Sequence, residues 1–256
     1  MKTGSTGGSE IPLAKVAPWS ESETLRQEKE TLGFYVSSHP LEQWAAWTSA
    51  FPVTPLGQAG QLPQDKRVIV AALVQSCRQI VVRNGRSAGQ KMAILTLEDM
   101  TGVAEAVMFS DCFNRFGHLL EDDAPKFVLG RVDHARGEGQ LVVDRMAPID
   151  GLPLERNRLR LVLRDQRLNG SGRAAVERIA ELASGEAPEG VERAPIDVVI
   201  ETKDAWIAVE TPGERRVAVT PATVRALVDA LGLGSVQLTG GVSVELNKRD
   251  DRRRRA

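Results

Sequence analysis

The feature that most constrains this chain is a near-continuous β-branched stretch that begins at Arg67. Its two apolar halves, VIVAALV and RQIVV, are separated only by the polar residues of Gln75 to Cys77. β-branched side chains favour strands, and a polar interruption inside one long strand is typical of a bend or bulge. The pattern therefore predicts a long strand bent in its middle, as a closed sheet requires.

Shorter segments of the same type follow. Residues 83–90 form a glycine-containing basic loop, and Lys91 to Leu97 then alternate between apolar and polar residues. Asp99 to Gly102 have the composition of a hairpin turn, and Val103 to Phe109 return as its second strand. The first three strands therefore follow one another as a meander.

A helix is predicted next, with Ser110 as its cap and with apolar residues at spacings of three and four through Leu120. After Pro125 the segments KFVLGRVDHA and GQLVVDRMAPI read as two strands, joined by a turn at Arg136 to Gly139. The order of three strands, a helix and two strands is that of an OB-fold, a five-stranded barrel that binds oligonucleotides across strands two and three and the loops after strands one and four.

The 256 residues are too many for one such barrel, so further domains are expected. The fold class is mixed: a five-stranded OB-fold β-barrel followed by a small α+β domain, and preceded by a short helical segment and a flexible N-terminus. We expect a flexible lead-in over 1–20, a helical segment and linker over 21–65, the barrel over 66–150, the α+β domain over 157–248 and a basic tail over 249–256.

Local signals define several of the outer elements. In the N-terminal segment, Leu25, Glu28 and Leu32 lie at helical spacing before Gly33, while residues 51–63 read as a connecting loop. In the α+β domain a strand is expected over 158–163, a helix over 174–182 and an antiparallel meander over 196–200, 205–209 and 215–219. The last helix begins at Thr220 and Pro221 and ends at Gly232.

Charge and cysteine usage limit the function classes. Lys and Arg total 33 against 34 Asp and Glu, so nucleic acid would have to be bound by a local patch rather than by a strongly basic molecule. Only two cysteines occur, without metal-ligand spacing, which fits a reducing cytoplasm. No apolar run is long enough for a membrane span.

A basic cluster on the first strand and its loop is the best candidate site, because Arg and Lys there can pair with phosphates. Solvated loop charge is the alternative explanation. Aromatic stacking partners are scarce: Phe109 is the best, Met92 offers a softer apolar contact with a position in the core as the alternative, and Phe127 is expected to face the barrel interior. The expected nucleic-acid-binding residues are Arg78, Arg83, Arg86, Lys91, Met92, Phe109 and Arg136.

Catalytic, metal-binding and cofactor-binding patterns are not found. The acidic run Glu121 to Asp123 lies between a helix and a strand, where a charged turn is a commoner explanation than a metal site. No nucleophile elbow, P-loop or HExxH motif occurs. We therefore expect no catalytic residue, no metal and no cofactor.

Three blocks resemble the C-terminal region of the alpha subunit of bacterial replicative DNA polymerase III. They are LGFYVSSHPLEQW at Leu32–Trp44, MAILTLEDMTGVAEAVMF at Met92–Phe109 and LLEDDAPKFVLGRV at Leu119–Val132. The resemblance covers the chain from about Val16, and it is firm to Ile149 and looser beyond. It implies a barrel that receives the single-stranded template, and a last domain like the one through which some members bind the tau subunit of the clamp loader.

Two departures from that family qualify the function. The palm domain with its catalytic aspartates would lie upstream, so this chain alone is not expected to polymerise, and the clamp-binding peptide of the Gln-x-x-Leu-Phe type is missing. We expect a fragment or truncated gene product that binds single-stranded DNA, with tau and other polymerase III subunits as protein partners. The alternatives are an interaction adaptor of the replisome without nucleic-acid affinity and, less favoured, a tRNA synthetase fragment.

Overall fold

The computed structural model describes residues 19–33, 35–135, 139–151, 155–164, 177–182, 184–185, 191, 193–209 and 215–241. Contacts divide the chain into two compact units, Met1–Pro40 and Leu41–Ala256. The predicted division of the second unit into a barrel domain and a C-terminal domain remains a prediction.

The first unit contains the predicted N-terminal helix, α1, at Glu21–Leu32. The side chain of Ser20 accepts a hydrogen bond from the backbone N–H of Glu23, and Gly33 ends the helix at a φ of 84°, a conformation that glycine adopts without strain. The carboxylate of Glu28 accepts hydrogen bonds from the backbone N–H groups of Val36 and Ser37 and from the Ser37 hydroxyl. These hydrogen bonds lower the pKa of Glu28, and the bond from the Ser37 hydroxyl has the largest effect.

The second unit begins with short helical pieces. A 3-10 turn at Glu42–Trp44 leads into α2 at Ala45–Thr48, and α3 follows at Leu56–Ala59. The last of these lies in the segment expected to be a loop. Asp99 holds it in place, because its carboxylate accepts a 2.8 Å hydrogen bond from the backbone N–H of Leu56.

Five strands form the predicted barrel: β1 (Arg67–Val81), β2 (Lys91–Asp99), β3 (Gly102–Met108), β4 (Lys126–Asp133) and β5 (Gln140–Pro148). The order around the closed barrel is β1-β2-β3-β5-β4, and β1 closes it by pairing with β4. Helix α4 (Ser110–Phe116) and a 3-10 turn at Gly117–Leu120 connect β3 to β4. This arrangement confirms the OB-fold and the mixed fold class.

The predicted bend in β1 is a β-bulge at Gln75. Val74 lies opposite Leu97 and Ser76 lies opposite Thr96, so Gln75 is the extra residue on β1. Before the bulge, Val68, Val70 and Ala72 lie in the barrel core. Because one residue is inserted, even-numbered residues point into the barrel before the bulge and out of it afterwards.

A second sheet follows the barrel. It is built from β6 (Glu155–Arg164), β7 (Arg193–Glu201), β8 (Trp206–Val209), β9 (Arg216–Ala218) and β10 (Val236–Gly241), in the order β10-β6-β7-β8. The predicted meander is wrong in one respect, because β9 pairs with the start of β7 rather than with β8. Strand β10 was not predicted.

The last helix, α5 (Pro221–Leu231), has the predicted ends and buried face. The Thr220 side chain accepts a hydrogen bond from the backbone N–H of Thr223, and the chain leaves the helix at Gly232 with a φ of 88°. Its buried residues are the predicted stripe of Val224, Leu227, Val228 and Leu231. The predicted helix over 174–182 is described only in part, and residues 177–182 are helical.

The barrel and the second sheet share a hydrophobic core. Outward-facing residues of β1 and β4, among them Ile69 and Leu129, belong to the same buried cluster as Leu161 of β6 and Leu227 of α5. Phe127 also belongs to this cluster, at 5.0 Å between ring centroids from Phe51. The expectation that Phe127 faces the barrel interior is therefore wrong.

One helix cap also differs from expectation. The residue at the cap position of α4 is Phe109, whose backbone is extended, and Ser110 is a buried first helical residue. No side chain caps this helix end. Phe109 is therefore the residue at which the chain passes from β3 to α4.

Candidate nucleic-acid interface

The predicted binding residues lie on two neighbouring strands and the ends that flank them. Arg78 is on β1, Lys91 and Met92 begin β2, and Phe109 directly follows β3. Arg83 and Arg86 lie in the loop between β1 and β2. Arg136 lies outside the described residues.

Strand register brings three of these residues together on the outer face of the barrel. Ala93, Leu95 and Leu97 of β2 are fully buried in the barrel core, so the alternate residues Met92 and Ile94 face outward. Arg78 lies opposite Ile94, and Ile80 lies opposite Met92. Arg78 and Met92 are therefore diagonal neighbours on one surface.

Phe109 continues this surface on the next strand. Met108 lies opposite Ala93, so the following residue, Phe109, comes beside Met92 on the outward side. Its side chain is 51% exposed. An exposed aromatic ring next to a methionine and an isoleucine offers a flat apolar surface on which an unpaired base can stack.

The bulge at Gln75 decides which charged side chain reaches this surface. With uninterrupted alternation from the buried Val70 and Ala72, Arg78 would share their side of the strand. The extra residue reverses the alternation and turns Arg78 outward. Ser76 confirms the reversal, because its hydroxyl donates a 2.8 Å hydrogen bond to the outward-facing Thr96 hydroxyl.

Lys91 does not join the same face. It lies opposite Val81 and two positions before the buried Ala93, so alternation directs it to the other side of the β1–β2 hairpin. The predicted cluster of four basic residues is therefore divided. Arg78 lies on the outer face, Lys91 on the reverse of the hairpin, and two arginines in the loop between them.

The loop itself has a defined backbone. Val82 donates a 2.9 Å hydrogen bond to the carbonyl of Gln90, and Gly89 donates one of 2.8 Å to the carbonyl of Val82. Gly85 and Gly89 have φ values of 88° and 82°, which suit glycine. The hairpin thus extends beyond the barrel and carries Arg83 and Arg86, both exposed, at its tip.

The cations of this region are available for a ligand. Within the part of the chain that the structure describes, no hydrogen bond or ion pair engages the side chains of Arg78, Arg83, Arg86 or Lys91. Each is exposed to solvent. An anion bound here would not have to displace a carboxylate of the described residues.

The opposite end of the outer face is acidic. Ile94 of β2 lies opposite Val107 of β3. Two residues farther along each strand, Thr96 lies opposite the exposed Glu105, and the next outward residue of β2 is Glu98. The face is thus basic and apolar near the hairpin tip and negatively charged near the β2–β3 turn. Sequence reasoning missed Ile80 and Ile94 as members of the face, although counting alternation from the bulge would have identified them.

Other groups in the barrel have structural surroundings. Asp122 accepts hydrogen bonds from the buried Lys126 ammonium and from the backbone N–H of Ala124, as expected for a charged turn. Burial raises the pKa of the Cys112 thiol to about 12 and raises that of Cys77 as well. Among the described residues, no group of three or more His, Cys, Asp or Glu side chains could hold a metal ion, and no helix is both long and apolar enough to cross a membrane.

Residues 68–149 match the family model described as an OB-fold nucleic acid binding domain. This stretch runs from the second residue of β1 to the residue after β5. The match agrees with the barrel topology, which is that of an OB-fold.

Curated relatives carry the name DNA polymerase III subunit alpha. The Thermus aquaticus protein is 33% identical over 127 residues, which are 48% of this chain and 10% of that protein. The Vibrio cholerae protein is 28% identical over 141 residues, 55% of this chain and 12% of the relative. The resemblance to the alpha subunit is confirmed over about half of this chain, which spans only about a tenth of the length of these relatives.

Among solved structures, the second OB-fold domain of replication protein A from Methanococcus maripaludis is similar to 39% of this chain and 96% of that domain. The sequence identity is 14% and the TM-score is 0.30.

Proposed function

We propose that this chain is a non-catalytic accessory of a replicative DNA polymerase, and that its barrel holds single-stranded DNA on the outer face of β1, β2 and β3. One observation carries the proposal: Arg78, Met92 and the exposed Phe109 lie on one face, beside a hairpin tip with two arginines that no carboxylate of the described residues engages. The relatives of this chain supply the replication context.

The chemistry of the face favours an unpaired strand. Phe109 and Met92 can contact a base only through its flat side, which is accessible when the base is not stacked in a duplex. Arg78, Arg83 and Arg86 can pair with phosphates and release counterions. None of these contacts reads the edge of a base, so binding should depend little on sequence.

A fluorescence-anisotropy titration of the chain with labelled oligo-dT at several salt concentrations tests this proposal. Arg83→Ala combined with Arg86→Ala should weaken binding and reduce the slope of log K against log salt by about 0.7 for each lost phosphate contact. Arg215→Ala combined with Arg225→Ala is the matched control, since these two exposed arginines of the second sheet region carry the same charge. Salt-independent binding, or an equal effect of both pairs, would contradict the proposal.

The non-catalytic part is supported by the extent of the match to DNA polymerase III alpha subunits, about a tenth of their length, and by a face whose charge and apolar surface suit holding a strand. In a primer-extension assay, the chain alone should add no nucleotide to a primed template. We place its action in the cytoplasm, where replication takes place and where an exposed free thiol such as Cys77 stays reduced. Nucleotide addition by the purified chain would contradict this part.

A second candidate function is protein docking through the second sheet, with the tau subunit of the clamp loader as partner. The observation in its favour is β8, an edge strand in which all four residues are exposed, with Trp206 at 60% and Ile207 at 49%. Apolar side chains beside unpaired backbone groups suit an added strand from another protein. If this were the only function, the chain would be an adaptor without DNA affinity.

Titration calorimetry with purified tau separates the two candidates. Trp206→Ser should abolish tau binding and leave oligo-dT binding unchanged. Leu233→Ser is the control, because Leu233 is equally exposed, at 63%, but lies in a turn away from β8. Tau binding with no oligo-dT binding would support the adaptor over the DNA-holding function, whereas no tau binding at all would exclude docking.

A further inference from the structure

We infer that Glu105 sets the border of the DNA path on the barrel, so that the bound strand crosses β1, β2 and β3 beside the hairpin tip and does not continue toward the β2–β3 turn. This inference rests on the proposed DNA-holding function and specifies how that surface selects its ligand. Glu105 would thus be a specificity-determining residue.

The outer face consists of successive cross-strand rows. The row nearest the hairpin tip contains Ile80 and Met92, with Phe109 beside them just beyond the β2–β3 ladder, and the next contains Arg78, Ile94 and Val107, of which Val107 is buried at 2% exposure. The third contains Ser76, Thr96 and Glu105. Rows that share a face are two residues apart along a strand, about 7 Å.

The first two rows are suited to a nucleic acid, and the third is not. Apolar side chains and one arginine make up the first two. In the third row, the Ser76 and Thr96 hydroxyls are already joined by a hydrogen bond, and Glu105 carries a negative charge. A phosphate entering this row would face that carboxylate with no cation of the described residues in the same row.

Within the described part of the chain, no partner neutralises the charge of Glu105. Its side chain is exposed, and no hydrogen bond or ion pair connects it to another residue in the described part of the chain. Glu105 lies about 7 Å along β3 from Val107 of the second row, within the Debye length of physiological salt, about 8 Å, so a phosphate over the β3 end of that row experiences its repulsion. Arg78 lies two strands away on β1, at about 12 Å. Glu98 adds a further acidic side chain beyond Glu105.

The usable face is therefore two rows deep on β1 and β2, whereas beside β3 only Phe109 is exposed, because Val107 is buried. Three neighbouring strands span about 10 Å at the usual spacing. A strand that crosses it perpendicular to β2 stays within the basic and apolar rows. A strand that ran along β2 would bring its phosphates past Glu105. The geometry thus favours the crossing path and a short contact on the face itself.

The test measures oligo-dT affinity against salt and oligonucleotide length for the full chain and for Glu105→Gln, Glu105→Lys and Glu42→Gln. Glu42 is an exposed acid on the 3-10 turn that precedes α2 and serves as the control for net charge. We expect affinity to rise about two-fold in Glu105→Gln and about five-fold or more in Glu105→Lys, with a steeper salt slope and a longer minimal oligonucleotide in the latter. Glu42→Gln should match the wild type.

The inference is overturned if the wild-type chain binds oligo-dT and both Glu105 variants bind it as the Glu42 variant does. It is also overturned if the affinity of Glu105→Lys rises without any change in its salt slope or minimal oligonucleotide length, since removing a border must lengthen the DNA path. If the wild-type chain does not bind at all, it is the proposed function that fails. Circular dichroism spectra identical to that of the wild type exclude misfolding of the variants. We expect such spectra, because substitutions at exposed positions rarely disturb folding.

Discussion

The indole Nε1–H of Trp47 donates a 2.6 Å hydrogen bond to the carbonyl oxygen of Ile149, at the end of the barrel. Trp47 is 2% exposed and packs edge-to-face on Phe51, which in turn packs on Phe127 of β4. Leu238 of β10 also donates a backbone hydrogen bond to Ala50, three residues after the tryptophan. This short segment therefore connects the barrel wall to the second sheet.

Trp47→Phe should destabilise the second unit by about 2 kcal/mol, because it leaves the buried Ile149 carbonyl without its donor and removes packing volume. Urea denaturation followed by far-UV circular dichroism measures the change. Trp44→Phe, at a half-buried position in the preceding turn, is the control and should cost clearly less. Equal losses for both variants would contradict the role assigned to the hydrogen bond.

Asp99→Ala should cost about 2 to 3 kcal/mol, since several donors lose a charged acceptor at once. The carboxylate accepts hydrogen bonds from the backbone N–H groups of Leu56, Thr101 and Gly102. Asp123→Ala, at an exposed position in the turn before β4, should be nearly neutral in the same thermal or urea melt. A melting temperature for Asp99→Ala within a degree or so of wild type would refute this account.

Gly130→Ala should destabilise the barrel by about 1 to 3 kcal/mol, because a Cβ at this position would overlap the carbonyl oxygen of Val142 on the neighbouring strand. The clash involves backbone, so no side chain can move to relieve it. At Gly60 a Cβ would make an ordinary 3.5 Å contact, and Gly60→Ala should leave stability nearly unchanged. Equilibrium unfolding of the two variants decides the matter.

Phe109→Ser should weaken oligo-dT binding by about 1 to 3 kcal/mol, the amount usual for one stacked base, with little loss of stability because the ring is half exposed. Phe113→Ser is the contrasting variant, since that ring packs against the barrel core. It should lower the melting temperature, and it should change DNA affinity little at a temperature where the variant is folded. Unchanged DNA binding by Phe109→Ser would show that this ring is not part of the interface.

The ion pair between Arg158 and Asp197 should make stability pH-dependent in acid. Two hydrogen bonds from the guanidinium, of 2.6 and 2.9 Å, lower the pKa of Asp197 from its ordinary value of 3.8. Because the folded pKa is the lower one, the stabilisation is complete above 3.8 and is lost as the pH falls through the folded value. Arg158→Gln should return the Asp197 pKa toward 3.8 in an NMR titration and flatten this acid dependence, whereas Arg225→Gln should do neither.

Elements with local signals could be predicted from the sequence. Helix α5 is determined by Thr220, Pro221 and Gly232, all of which act within one turn of the helix ends. The barrel strands could be recognised because alternation and turn residues agreed along the whole stretch from Arg67 to Ile149. The polar interruption at Gln75 even marked the position of the bulge.

Features that depend on distant partners could not be predicted. Phe127 lies on the outside of the barrel, and that side is buried only because Phe51 and the second sheet pack against it. The four basic residues of the first hairpin are close in sequence, yet Lys91 and Arg78 lie on opposite sides of it. Strand β10 has only four alternating residues, 236–239, before two glycines, and its pairing with β6 depends on a partner that is distant in the sequence.

The bulge at Gln75 makes the length of β1 more critical than the identity of the residue inserted there. Any side chain at position 75 should be tolerated, since the ladder leaves this residue unpaired. Deleting it would reverse the direction of every side chain that follows it on β1. Cys77 and Gln79 would then face outward, and Arg78 and Ile80 would lie on the reverse side. Homologous barrels whose β1 strands differ in length should therefore be aligned by which side chains face outward rather than by residue similarity.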